Sequence, residues 1–169
     1  MQIREHAEAN PEKPAIILHP SGTVVTFGEL EARANRLAHY FRRQGLQEGD
    51  VVAILMENNE HIHAVMWAAR RSGLYYVPIN THLTPAEAAY IIDNSGAKAI
   101  VGSAALKDIL IGLDKELPGG LPATLLIADG AESSATSASS ELDGWQRYPE
   151  AVADLPATPI DDEIGRAHV

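Results

Sequence analysis

The sequence contains no cysteine among its 169 residues. This absence excludes disulfide bonds, thiolate nucleophiles and zinc sites built on cysteine. No apolar run approaches the roughly 20 residues that a membrane-spanning helix needs. The amino-terminal residues also lack the apolar core of a secretory signal peptide. We therefore expect a cytoplasmic protein with no membrane span.

Positive charge is scarce as well. The chain has 13 lysines and arginines against 23 aspartates and glutamates, which gives a net charge of −10. Proteins that bind nucleic acid regardless of its sequence need a basic face for the phosphates, so we expect no nucleic-acid partner. Apolar residues make up 46% of the chain and charged residues 21%, a balance typical of one globular domain with its own core.

The motifs that cradle phosphates are missing. Such loops combine several glycines, whose backbone N–H groups approach the phosphate, with a nearby lysine. Neither G-x-G-x-x-G nor G-x-x-x-x-G-K-[ST] occurs, and the pair Gly119-Gly120 is predicted to form a turn. No lysine follows a glycine-rich run, and no serine lies in a G-x-S-x-G elbow.

Three of the seven histidines lie where a site could form. His61 and His63 are two residues apart on a predicted helix and so point to different faces, whereas zinc on a helix is bound at i and i+4. We interpret both as surface histidines. His82 follows the end of a predicted strand, where α/β sheets place ligand contacts, but without a partner we interpret it as structural or solvated.

Two further groups have a functional and a structural interpretation. The acids at 161–163 could form a carboxylate cluster, but in a proline-rich segment we expect them to be solvated. Tyr75 and Tyr76 could form a binding platform, but we expect them to fill a buried strand. The sequence therefore predicts no catalytic, no cofactor-binding and no metal-binding residue.

Hydrophobic periodicity alternates between strands and helices. Thr26 with Glu29, and Thr84 with Glu87, form capping boxes that begin helices. Strands are predicted at about 15–18, 23–25, 51–55, 75–77, 99–101 and 125–127, and helices at about 26–45, 59–73, 84–96 and 104–116. This alternation predicts an α/β fold with a parallel, Rossmann-like sheet flanked by helices.

The chain is predicted to have four parts. Residues 1–129 form the α/β subdomain, and residues 130–144, rich in serine and alanine, form a flexible loop. Residues 145–162 form a linker, in which Trp145 and Tyr148 dock a short segment on the body. Residues 163–169 are predicted to be a non-native tail, because 164–169 equal one reading frame of a common sequencing adapter; a natural terminus is the alternative.

An ordered series of motifs resembles one enzyme family, the AMP-forming acyl-CoA synthetases, also called adenylate-forming enzymes. These motifs lie at 6–15, 26–30 with 35–38, 49–53 with 57–58, 73–80, and 83–87 with 90–91. The block Tyr-Tyr-Val-Pro-Ile-Asn, which ends at Asn80, is similar to fatty-acyl or aryl-acid CoA ligases. Peptide-synthetase modules more often have aspartate at this position.

The resemblance implies a two-step reaction. ATP, with Mg²⁺, converts a carboxylic acid, here a fatty acid, to an acyl-adenylate, and the thiol of CoA then displaces AMP. The family's phosphate loop, magnesium site, ribose aspartate and carboxyl-terminal lysine lie beyond residue 169, so no catalytic role is carried over. The resemblance therefore implies an incomplete amino-terminal subdomain that is inactive by itself and binds ATP, Mg²⁺ and CoA poorly.

Two other readings stay open at this point. The chain could be a free-standing α/β binding or interaction module without catalysis. It could also be a pseudoenzyme that pairs with a separately encoded carboxyl-terminal part.

Overall fold

The computed structural model describes residues 3–117, 119–120, 122–127, 142 and 144–161. In this part of the chain, helices and strands alternate as the periodicity predicts. The helices are α1 (Ile3–Ala9), α2 (Phe27–Arg43), α3 (Ile62–Arg71), α4 (Pro85–Ser95) and α5 (Lys107–Glu116). The strands are β1 (Pro14–Ile17), β2 (Val24–Thr26), β3 (Val51–Leu55), β4 (Tyr75–Pro78), β5 (Ala97–Ser103), β6 (Ala123–Ile127) and β7 (Gln146–Tyr148).

Five of these strands form one parallel sheet in the order β4-β3-β5-β6-β7. One apolar cluster joins the sheet to α2 and α3, and a second joins its other face to α4 and α5. Strand β3 is almost entirely apolar because helices cover both of its faces. The predicted parallel α/β sheet flanked by helices is thus confirmed. Strands β1 and β2 form a separate antiparallel pair.

Both predicted capping boxes are present. The backbone N–H of Thr26 donates to Glu29 over 2.8 Å, and that of Thr84 donates to Glu87 over 2.8 Å. The threonine hydroxyls accept the reciprocal bonds from the N–H groups of the same glutamates. Each box satisfies N–H groups that a helix start leaves unpaired, which stabilises the helix by about 1 kcal/mol.

The structure adds two elements that the sequence analysis does not predict, helix α1 and strand β7. Trp145 is buried, and β7 pairs with β6 as the last strand of the described sheet. This confirms that Trp145 and Tyr148 dock their segment on the body. The predicted domain boundaries stay a prediction, since most of 130–144 and all of 162–169 lie outside the described residues.

Strand β4 differs from the expectation that its tyrosines are buried. Tyr75 is 69% exposed and Tyr76 41% exposed, so the prediction of a buried strand is wrong. In the described sheet β4 has a neighbour on one side only, which leaves its rings in contact with solvent. Pro78, which has no N–H, ends the strand and limits pairing at this edge.

A membrane-spanning helix must be both long and predominantly apolar. None of the helices in the described part of the chain combines the length and the apolarity that a membrane span requires.

Helices α4 and α5 approach closely because α5 carries Gly112. A Cβ added there would lie 2.5 Å from Cβ and 2.6 Å from Cγ of Pro85, whose ring cannot rotate away. We expect Gly112→Ala to lower the free energy of unfolding by about 1–2 kcal/mol in urea denaturation, since overpacking outweighs the gain in helix propensity. In a Pro85→Gly background, which lacks both of these atoms, the same Gly112→Ala change should cost little; if it costs as much as in the parent chain, the steric explanation is wrong.

Candidate functional site

The topology of the sheet singles out one place for a ligand. From β3 the chain moves to β4 on one side, and then returns through α4 to β5 on the other side. Strand order reverses between β3 and β5, and in open parallel sheets ligands bind beyond the carboxyl ends of the strands at such a reversal. The candidate site is therefore the carboxyl edge formed by the loops after β3, β4 and β5.

The loop that follows β3 fills the centre of this edge. Ser103, at the end of β5, donates its hydroxyl proton to Oε1 of Glu57 over 2.8 Å. The amide of Asn59 also contacts Oε1 of Glu57, over 3.4 Å. Glu57 thus joins the loop after β3 to the end of β5, which closes the crevice between these two strands.

The same residues begin the helices that leave the edge. Oδ1 of Asn59 accepts from the backbone N–H groups of His61 and Ile62 over 2.9 and 3.1 Å, so Asn59 caps α3 from outside. The Ser103 hydroxyl accepts from the N–H of Ala105 over 3.3 Å and caps the 3-10 turn that precedes α5. The described hydrogen bonds of the Ser103 hydroxyl therefore join the end of β5 to the loop after β3 and to its own turn.

His61 differs most from its predicted position. The sequence analysis predicts a surface histidine, but His61 is only 7% exposed and packs edge-on against the ring of Tyr148 at 4.9 Å. Burial, reinforced by Arg33, lowers the pKa of His61 to about 4, although the Glu60 carboxylate 3.2 Å from Nε2 opposes this shift. His61 is therefore neutral at pH 7, and it serves the packing of Tyr148. His63 is exposed, as predicted.

Three exposed side chains surround the closed centre. They are Asn58 after β3, and Asn80 and His82 after β4. Oδ1 of Asn80 accepts from the N–H of His82 over 3.0 Å, which fixes a tight turn and leaves the His82 side chain exposed. Two amides and an imidazole can donate and accept hydrogen bonds, but none has the permanent positive charge of an arginine.

The remaining candidates from the sequence do not join this edge as a site. Asp161 is exposed, and residues 162 and 163 lie outside the described residues. Gly120 has a φ of 77° in a turn, as expected for Gly119-Gly120. Of the residues that hold the edge together, the sequence predicts Glu57 only as part of the motif at 57–58 and gives no role to Ser103, because only the strand order brings the two into contact.

A magnesium ion that accompanies a nucleotide is held by several oxygen ligands close together. No group of three or more histidines, aspartates or glutamates in the described ranges could hold a metal ion. Lys98 lies at the opposite, amino edge of the sheet, where its Nζ contacts Asp50 over 2.8 Å.

Comparison with known proteins agrees with this fold. A sequence model described as AMP-binding enzyme matches residues 3–163. A fatty acid–acyl-carrier-protein ligase of Streptomyces coeruleorubidus is 29% identical over 155 residues, which cover 92% of this chain and 28% of that protein. A long-chain-fatty-acid–CoA ligase of Mycobacterium tuberculosis is 28% identical over 164 residues, which cover 96% of this chain and 30% of that protein.

A solved structure gives the same answer in three dimensions. The structure of a fatty acyl CoA synthetase of Mycobacterium tuberculosis superposes with a TM-score of 0.70 at 25% identity, and covers 97% of this chain and 30% of that chain. This chain thus spans less than a third of the length of each of these three relatives. The family match extends over nearly the whole chain, and the chain belongs to the AMP-binding enzyme family.

Proposed function

We propose that this chain forms the amino-terminal part of an AMP-forming ligase that joins a carboxylic acid, most directly a fatty acid, to a thiol. The observation that carries the proposal is the family match over residues 3–163 on a doubly wound parallel sheet. In the complete reaction a carboxylate oxygen of the acid attacks the α-phosphate of ATP and pyrophosphate leaves. A thiol then attacks the acyl carbon and AMP leaves.

Similar ligases transfer the acyl group to two different thiol acceptors. One similar protein is named for acyl-carrier protein and another for CoA. We propose CoA as the acceptor, with ATP and Mg²⁺ as the other requirements of the complete enzyme.

We propose that the chain by itself does not catalyse either step. Charge neutralisation of the phosphates is a large part of such catalysis, and it needs cations around the transferred group. Asn58, Asn80 and His82, which are exposed at the carboxyl edge, supply no permanent positive charge, and the nearby cation Arg33 is paired with Glu60 over 3.6 Å. The role proposed for the carboxyl edge is structural. The hydrogen bond between Ser103 and Glu57 holds the loop after β3 against the end of β5, beside which the other residues of the complete site would lie.

A chimera tests the proposal. Residues 3–161 replace the matching segment of the Mycobacterium tuberculosis long-chain-fatty-acid–CoA ligase, and fatty-acid-dependent exchange of pyrophosphate into ATP is measured. We expect exchange by the chimera, because the parallel sheet and its carboxyl edge are supplied in full, and none by the isolated chain. The parent enzyme without its amino-terminal segment is the matched control.

Two outcomes would contradict the proposal. A chimera that melts cooperatively like the parent but shows no exchange would mean that this chain cannot serve as that part of a ligase. Tight binding of ATP or acyl-CoA by the isolated chain in calorimetry would favour a free-standing binding module instead.

A further inference from the structure

Strands β1 and β2 form an antiparallel pair that is separate from the five-stranded sheet. One face of this pair packs on the core, since Val25 is fully buried and Ile16, which lies opposite it, packs against the same apolar cluster. The other face carries Ile17 opposite Val24, whose side chains are 68% and 46% exposed. The pair therefore presents two aliphatic side chains to solvent, next to each other.

The sequence of both strands is typical of strands that are covered on two faces. A strand with one face in solvent alternates apolar and polar residues, whereas a strand buried on both faces is a continuous apolar run. Residues 15–18 are Ala-Ile-Ile-Leu and residues 24–25 are both valine, as uninterrupted as the run in β3. Helices cover β3 on both faces, but the described residues cover β1 and β2 on one face only. A two-stranded pair is also only marginally stable by itself in water, so a second covering layer would stabilise it.

Residues 157–159 return to the side of α2 on which the strand pair lies. The start of α2 is bound to the segment between α1 and β1, because the N–H of Phe27 donates to the carbonyl oxygen of Lys13 over 3.0 Å. The ring of His6, in α1, packs on the ring of Phe27 at 4.9 Å. Helix α1, α2 and residues 157–159 line one cavity of about 260 Å³. Polypeptide that follows residue 161 therefore starts from the side of α1 and the strand pair.

We propose that the face formed by Ile17 and Val24 is an interaction surface that packs against an apolar surface of the remaining part of the same ligase. Neither side chain can form a hydrogen bond, so an apolar partner surface is the chemistry that fits it. The inference rests on the proposed function for the presence of that remaining part: this chain spans less than a third of each of the three similar proteins, so a ligase of their length has enough further chain to cover the face.

A second copy of this chain is the less suitable occupant of the face. Two molecules that each have a net charge of −10 repel each other, and such repulsion keeps a protein monomeric. The face is also small, with two exposed side chains, so it cannot offset that repulsion by a large apolar contact. A segment of the same polypeptide is subject to neither limit, because it does not have to associate from solution.

Hydroxyl-radical footprinting of the isolated chain and of the chimera with the Mycobacterium tuberculosis ligase measures whether the face is covered. We expect labelling of Ile17 and Val24 to fall severalfold in the chimera, because their side chains leave water. Tyr90 is 70% exposed on α4 and is the matched control, which should be labelled equally in the two proteins. The Ile17→Lys variant should leave the melting temperature of the isolated chain nearly unchanged and lower that of the chimera by several degrees, since only the chimera would bury the ammonium.

Pyrophosphate exchange by the same chimera separates this inference from the proposed function. A chimera that shows exchange while Ile17 is labelled as strongly as in the isolated chain overturns the inference and leaves the proposed function in place. A chimera that melts cooperatively and protects Ile17 but shows no exchange contradicts the proposed function and supports the interaction surface. Labelling of Ile17 that falls as the isolated chain is concentrated, together with dimers in sedimentation, overturns the inference because a second copy then covers the face.

Discussion

Replacement of Arg71 by alanine is expected to lower the free energy of unfolding by about 2–3 kcal/mol, because it removes a buried guanidinium with its hydrogen bonds and leaves the half-buried Glu31 carboxylate with the more distant Arg4, 3.8 Å away, as its counter-charge. Arg71 is only 5% exposed. Its guanidinium donates to both carboxylate oxygens of Glu31, over 3.0 and 2.8 Å, and to the side-chain oxygen of Asn35. Chemical denaturation of the two proteins at pH 7 measures the difference.

The neighbouring Arg70 provides a matched control. Its guanidinium is exposed and lies 5.2 Å from the ring centroid of Trp67, so Arg70→Ala should cost at most about 1 kcal/mol. The double variant Glu31→Gln with Arg71→Met removes both charges and should be clearly more stable than Arg71→Ala. Equal losses in the Arg70 and Arg71 variants would show that the buried pair has no special cost.

The same network fixes the end of the described chain. Asn35 donates from Nδ2 to the carbonyl oxygen of Ala157 over 2.7 Å, and His39 contacts the carbonyl oxygen of Thr158 over 2.9 Å. Ile160 is buried against the α2 side of the sheet. The buried ion pair between α2 and α3 therefore holds the segment that leads away from the sheet, so Arg71→Ala should also increase hydrogen exchange at 155–160.

Features with a local cause were predictable from the sequence. The capping boxes at Thr26 and Thr84 depend on residues three apart, and the continuous apolar run of β3 reflects burial on both faces. Such local signals predict the order of strands and helices. Their alternation in turn predicts the parallel sheet. Strand β7 has three residues, too few to show a hydrophobic pattern in the sequence. It is a strand because it pairs with β6.

Features that depend on distant neighbours were not predictable. Tyr75 and Tyr76 have the composition of a core strand, but burial is decided by whether another element covers β4. His61 was assigned to the surface from helical spacing, which says nothing about a ring that arrives from β7. Glu57 and Ser103 are 46 residues apart and meet because β3 and β5 are neighbours in the sheet. A single sequence contains no signal for that meeting.

The sequence of this chain identifies its family but no catalytic residue, because its recognisable motifs are local and structural. The motifs that resemble adenylate-forming enzymes lie at helix starts, helix ends and buried strands, for example at Thr26 and Gly73. They are architectural, since each satisfies a backbone or packing requirement. Three polar side chains at the carboxyl edge also have a structural role. Glu57, Asn59 and Ser103 form hydrogen bonds to each other or to the N–H groups at helix starts.

The free energy of unfolding is expected to fall by about 3 kcal/mol as the pH decreases from about 6.5 to 4, because of His61. Burial first, and Arg33 second, lower the pKa of His61 from 6.5 to about 4 in the folded chain. Within this window the unfolded chain binds a proton that the folded chain does not, so acid favours unfolding. The stabilisation that neutral His61 contributes is fully present above pH 6.5, the pKa in the unfolded chain. It is lost as the pH falls to about 4, the pKa in the folded chain.

Carboxylates act in a lower and separate window. Hydrogen bonds from Gln47 to Asp50, and from Thr84 to Glu87, lower the pKa of each carboxyl from its ordinary value of 3.8 and 4.5, respectively. Their stabilisation is lost only as the pH falls below about 4.5. A change in the free energy of unfolding between pH 6.5 and 5 therefore comes from histidine and not from these carboxylates.

Two phenylalanine variants assign that slope. His61→Phe keeps an aromatic ring against Tyr148 but removes the titrating group, so its stability should be nearly constant from pH 6.5 to 5. His63→Phe makes the same change at an exposed position of α3 and should keep the full slope. Urea denaturation at four or more pH values gives both curves. A slope that survives in His61→Phe would place the acid sensitivity elsewhere and would contradict the lowered pKa of His61 in the folded chain.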